Sequence, residues 1–317
     1  MVKLTGQRPK FRARTSATPA IRAQALENRH SRLDALRKRD RLEPALRRYD
    51  ALLRRLQVAG HRWPEREALG HITSMFLRSY ADVQEQISAS GKRGIRAINA
   101  IKRSAGTNYQ GLVEYGVLRW LETTDLALNV GPNAPKSMKD ELTIYGTDSS
   151  GPFQVEPDID ISLWEEGGSA RSPLLLVSAK TSLVDRAGQA ARWKLYLDMH
   201  QTKCPHTSKV PDCPIHRTRI KVRTQHPITH AICTANIYKM DTTLPQGELE
   251  SGQCRNNTYM FAYRYTTRTE DIKPVGWRSF REFAELVQQI FGRARHVRTA
   301  TPLPSRGSSA VVARRSR

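Results

Sequence analysis

No stretch of this 317-residue sequence approaches the roughly 18 consecutive apolar residues that a membrane-spanning helix needs. No signal-like apolar block follows the basic N-terminus either, so the expectation is a cytoplasmic protein. Cysteine is scarce. Four residues, Cys204, Cys213, Cys233 and Cys254, are too few for a disulfide scaffold at this length and fit a reducing compartment. Hydrophobic residues reach only 38%, enough for one substantial core with polar extensions around it. No internal repeat is visible. Acid is also short: 30 Asp and Glu stand against 52 Lys and Arg, a net charge of +22.

That excess sits mainly at the two ends. Residues 1–60 carry 16 Lys or Arg and five acids, and residues 291–317 carry seven Arg and no acid. Charge gathered at chain ends suggests solvated arms that meet a polyanion, and nucleic acid is the abundant one. Each cation placed on a phosphate releases counterions, giving salt-sensitive and sequence-blind affinity. A basic tail that only aids solubility is the bland alternative.

Residues 1–18 read as a disordered basic arm, and 293–317 as a disordered basic tail. From Ile21 to about Leu56, apolar residues recur at helical spacing through Leu33, Leu36, Leu42, Leu46 and Leu53, which predicts two basic amphipathic helices. Further helices are expected over 65–87, 95–101 and 109–121. Residues 19–104 therefore read as a helical N-terminal domain for DNA binding or dimerisation. Beyond it the pattern changes. Val155–Leu163 alternates as a strand, Pro173–Val177 is continuously apolar, and His226–Ile237 and Tyr259–Tyr265 are rich in β-branched or aromatic residues. Helices are expected over 185–199 and 279–291. The element order predicts a mixed α/β domain over residues 105–292.

Chemistry concentrates in Glu156-Pro157-Asp158-Ile159-Asp160-Ile161 and Ser178-Ala179-Lys180. Strand periodicity puts Asp158 and Asp160 on one face, with Ile159 and Ile161 on the other, and puts Ser178 on the face of Lys180. The turn Glu165-Glu166-Gly167-Gly168-Ser169 makes the two segments an antiparallel hairpin, bringing carboxylate and ammonium together at the end of a buried strand. Neither charge can be buried alone without a cost of several kcal/mol, so the two must be paired, solvated in a cleft or bridged by a metal. Carboxylates suit a hard cation such as Mg²⁺, and a nearby lysine suits the water and developing charge of phosphodiester hydrolysis. Glu114 lies on a helical stripe with Leu118 and Leu121, an expensive place for a carboxylate.

Pro157-Asp158 followed by Ser178-Ala179-Lys180 resembles the PD-(D/E)xK nuclease signature, and VSAKTSLVDRAGQAARWKL resembles type II restriction endonucleases. The likeness is nearest to the subgroup reading CCGG-centred palindromes, BsaWI-like enzymes included, which have a helical N-terminal domain. It covers residues 108–197. It implies a restriction-endonuclease-like mixed sheet flanked by helices, Asp158 as the Mg²⁺-binding carboxylate and Lys180 as the lysine at the attacking water. Glu114, on the helix before the hairpin, would complete the metal site, with Asp160 beside it. Ser178 departs from the family's usual acid. In the subgroup a Glu on the following helix replaces that acid, whereas this chain has Ala191, Arg192, Trp193 and Lys194 there. Asp185 and Gln189, one turn apart, are the substitutes within reach.

Arg186, Gln189, Arg217, Arg219, Lys221 and Arg223 are the candidate DNA contacts, by guanine edges or by phosphates. Cys204, His206, Cys213 and His216 form a set that a structural Zn²⁺ would order, although its spacing is not that of a standard finger. A short palindrome read by a two-fold protein implies a homodimer on double-stranded DNA. Two other readings stay open: a structure-specific repair or recombination nuclease of the same fold, and a nucleic-acid-binding protein without catalysis.

Overall fold

Thr18 and Pro19 open the first helix for reasons visible in their chemistry. The Thr18 hydroxyl accepts the Ile21 backbone N–H at 3.3 Å, and Pro19 takes a position where a missing N–H costs nothing. This computed structural model describes residues 17–91, 93–132, 136–148, 151–157, 159–169, 171–181, 187–201, 221–235, 261–267 and 277–292. The two expected basic helices are α1 (Pro19–Arg37) and α2 (Glu43–Val58). The single helix expected over 65–87 is instead two, α3 (Pro64–Leu69) and α4 (Ile72–Ala89), broken at Gly70 and His71. Glycine's low helix propensity makes that the cheapest place to turn.

The opposite correction applies further on. The helices expected over 95–101 and 109–121 are one 28-residue helix, α5 (Gly94–Leu121). Gly106 inside it costs about 1 kcal/mol of propensity, which burial of the helix's C-terminal half outweighs. The expected domain boundary after residue 104 falls inside α5. Leu33, Leu46, Leu69 and Phe76 from α1–α4 share one apolar cluster with Leu175 and Val177. Gly111 allows the α1–α2 corner to approach α5, since a Cβ there would stand 2.7 Å from a Leu42 methyl.

Two sheets follow. The six-stranded sheet has the order β1 (Leu128–Gly131), β4 (Ile161–Glu165), β5 (Leu174–Lys180), β7 (Ile228–Thr234), β8 (Tyr263–Thr266) and β9 (Arg278–Ser279). β4 pairs antiparallel with both β1 and β5, while β5, β7, β8 and β9 are parallel. The smaller sheet joins β2 (Ile144–Asp148), β3 (Gly151–Val155) and β6 (Lys221–Val222). Helix α6 (Lys136–Leu142) precedes β2, α7 (Ala187–Gln201) lies between β5 and β7, and α8 (Phe283–Phe291) closes the described chain.

The mixed sheet is flanked by helices. Leu175, Val177 and Ala179 join the cluster that contains α5, whereas Leu174 and Leu176 join one with Trp193 and Leu197 of α7. The two faces of β5 are therefore covered by different helices, and every residue of β5 is buried. Among the described residues no helix is long and apolar enough to cross a membrane.

Candidate active site

β5 is apolar at four consecutive positions because it is covered on both faces, and it ends in Ser178-Ala179-Lys180. Its antiparallel partner is β4, with Ile161 opposite Val177, as the hairpin expectation required. The single strand expected over Val155–Leu163 is corrected, however. β3 ends at Val155 in the smaller sheet, and β4 starts at Ile161 in the larger. Between them the Ile159 N–H donates to the Pro157 carbonyl at 3.0 Å, a tight local bond in place of a ladder bond. Strict alternation therefore stops short of Asp160. Ile159 packs in the cluster on the α7 side and Ile161 in that on the α5 side, not on one common face.

Asp160 stands at this bend, and Lys180 meets it. The Lys180 ammonium lies 2.9 Å from Asp160 Oδ2, with the two side chains only 2% and 4% exposed. The same oxygen accepts the Ala179 backbone N–H at 2.8 Å, and Oδ1 accepts from the Gln110 amide on α5. A carboxylate held from three directions has a fixed orientation, and its charge is balanced where water is sparse.

Ser178 hydrogen-bonds His230 Nε2 of β7 at 3.0 Å. Burial, with the charges of Lys194 and Lys180 adding to it, depresses the His230 pKa to about 3, so the ring is neutral. In the unfolded chain an imidazole takes up a proton near its model value of 6.5 that the buried ring refuses, so stability is full above that value and declines on acidification. His230 should contribute a loss on the order of 2 kcal/mol between about pH 7 and about pH 5. His230→Gln should remove that part, as denaturant titrations of parent and variant at both pH values would show. Equal losses in the two proteins would exclude His230 as the source.

Glu114 is buried at 2% side-chain exposure and engages Arg32 of α1 through both oxygens, at 2.5 and 2.9 Å. It follows Gln110 by one helical turn, on the same side of α5. Burial raises its pKa above 4.5 even though Arg32 and Arg39 oppose the shift. An acid with a raised folded-state pKa stabilises below its unfolded value and loses that contribution as pH rises through the folded one. Relative to Glu114→Gln, the parent should therefore lose stability as pH climbs from about 4.5, measured by chemical denaturation across pH 4–7. A parent that gains on the variant over this range would overturn the assignment.

Gln189 is exposed on α7, and Lys221 and Arg223 are exposed at β6 and just after it, with the Arg223 guanidinium 4.7 Å from the Tyr145 ring centre. Asp158, Asp185, Arg186, Arg217, Arg219 and the Cys204, His206, Cys213, His216 set lie outside the described residues. Gln110, Arg32 and His230 are site neighbours that sequence reasoning missed. Gln110 carried one signal, its position four residues before Glu114 on the same helical stripe. Compared with models of protein families and with curated protein sequences, the chain matches none.

Proposed function

We propose that this chain is a Mg²⁺-dependent type II restriction endonuclease of the PD-(D/E)xK kind. It would hydrolyse both strands of duplex DNA at a short palindrome, CCGG-centred by the resemblance, as a homodimer whose N-terminal helices serve DNA binding or dimerisation. The observation that carries this reading is the buried Lys180–Asp160 pair at the end of β5. Burying an ion pair rarely adds stability over apolar packing, so its presence at a strand end favours a chemical role. The mixed sheet between α5 and α7 supports the same reading, since the resemblance implies a sheet flanked by helices.

The donors beside Lys180 are carboxylate oxygens, the chemistry that a hard divalent cation selects. Asp160 and Asp158 would hold Mg²⁺, which when bound would polarise a phosphoryl oxygen and acidify a water. Among the described residues no three His, Cys, Asp or Glu gather into a metal-holding group, and Asp158 and Asp185 are not among them. Lys180 presents an ammonium that can hold a water and counter charge growing on the phosphate. Gln110 and the Ala179 N–H keep the Asp160 carboxylate from rotating. Ser178, tied to neutral His230, brings no negative charge to the position where the family carries an acid.

Incubating the protein with long natural duplex DNA and Mg²⁺ tests this. Discrete fragments are expected. No cutting would refute the nuclease reading, and preference for branched over linear substrates would replace it with a structure-specific nuclease.

A further inference from the structure

Away from the Asp160–Lys180 pair, the corner between α1 and α2 folds back against the middle of α5 and leaves a cleft of about 310 Å³. The corner contributes Arg39, Asp40 and Arg41, and α5 contributes Arg103 and Ser104. Three guanidiniums face one carboxylate there. The corner is also built rather than loose. Asn108 Nδ2 donates to the Arg41 carbonyl at 2.7 Å, Arg41 donates to Ser104 Oγ at 2.9 Å, and Arg39 donates to the Thr107 carbonyl at 3.3 Å. Gly111 lets Arg39 lie against the helix, since a Cβ there would stand 3.1 Å from its guanidinium. Arg39 has a depressed pKa, first because of burial and then because of Arg32, with Glu114 opposing. A half-buried Arg39 and an Arg41 held by Ser104, with exposed Arg103 beside them, suit an oxyanion that accepts two N–H bonds at once, which is the geometry of a phosphate.

The cleft lies next to the candidate active site along one rigid element. Gln110, which holds Asp160, is seven residues beyond Arg103 on α5, about 10 Å along the helix axis. Duplex DNA carries one phosphate per strand about every 3.4 Å of its axis. A backbone lying along this part of α5 would thus present phosphates to the cleft while a neighbouring linkage lay near Asp160 and Lys180.

We propose that Arg39, Arg41 and Arg103 form a backbone-phosphate clasp that seats duplex DNA beside the catalytic pair. This inference rests on the reading that the chain acts on duplex DNA. The clasp contacts phosphates and no base, so it supplies affinity and register without sequence preference.

The test is the salt dependence of duplex binding without Mg²⁺, read by fluorescence anisotropy on the full chain. For Arg103→Gln and for Arg41→Gln, the slope of log affinity against log salt should fall by about 1 each, equally for unrelated sequences. The Arg103 side chain is exposed, and the Thr107 hydroxyl bonds its backbone carbonyl, so Arg103→Glu should fold and weaken binding further. Arg171→Gln, in the exposed turn before β5 at the end of that strand away from Lys180, removes equal charge and should leave the slope unchanged. Slopes unchanged by the cleft variants, or lowered as much by Arg171→Gln, would overturn the clasp. Parent protein that cuts DNA while the clasp variants keep the full slope leaves the nuclease reading standing without it. Parent protein that binds with clasp-dependent slope but never cuts leaves the clasp standing without the nuclease.

Discussion

Lys180→Ala should lower Mg²⁺-dependent cleavage by about 10²–10⁴-fold while leaving duplex affinity nearly unchanged. The asymmetry follows from burial. At 3% exposure Lys180 offers almost no surface to a docked duplex, so in the proposed nuclease its ammonium would act on the reacting phosphate and add little to docking. Lys180→Arg should rescue poorly, because a planar guanidinium does not fit a slot shaped around a compact ammonium. Single-turnover cleavage and anisotropy on the same preparations separate the two effects. An affinity loss as large as the rate loss would make Lys180 a DNA contact instead of a catalytic group.

The second large effect is on stability. Removing one partner of a buried ion pair strands the other, at about 3–5 kcal/mol. Lys180→Met should cost about that much, because it takes the ammonium away from a buried Asp160 carboxylate whose contacts with Gln110 and the Ala179 N–H bring no compensating charge. Asp160→Asn retains an amide oxygen that can accept from the Ala179 N–H and from Lys180, so its cost should be smaller. The double variant should be more stable than the sum of the singles by about 1–3 kcal/mol, read from denaturant unfolding. Additivity within about 0.5 kcal/mol would mean that the two groups do not act as a pair.

Much of this arrangement was legible in the sequence. Four apolar residues ending in Ser-Ala-Lys named β5, because only a strand covered on both faces tolerates that run. The Gly167-Gly168 turn named its hairpin partner, and Gly167 does adopt a positive φ of 63°. The bend at Pro157 was not legible, since Val155–Leu163 alternates well enough to pass for one strand. Tertiary pairing decided the matter by sending β3 to a different sheet. Nor could periodicity reveal that Gln110 would reach Asp160, 50 residues away, or that Arg32 would occupy Glu114, 82 residues away. Short strands such as β1 and β6 left no pattern because four and two residues are too few to show a period. The basic corner was visible only as charge. Its cleft depends on how the α1–α2 connection packs against Gly111, which no one-dimensional pattern encodes.

The most direct measurement is to digest a long natural duplex with the parent chain and Mg²⁺, then sequence the fragment ends. If Asp160 and Lys180 belong to a restriction nuclease, the ends will fall at one short palindromic sequence and vanish in Lys180→Ala. Ends scattered without common sequence, or no new ends beyond a Mg²⁺-free control, would contradict it.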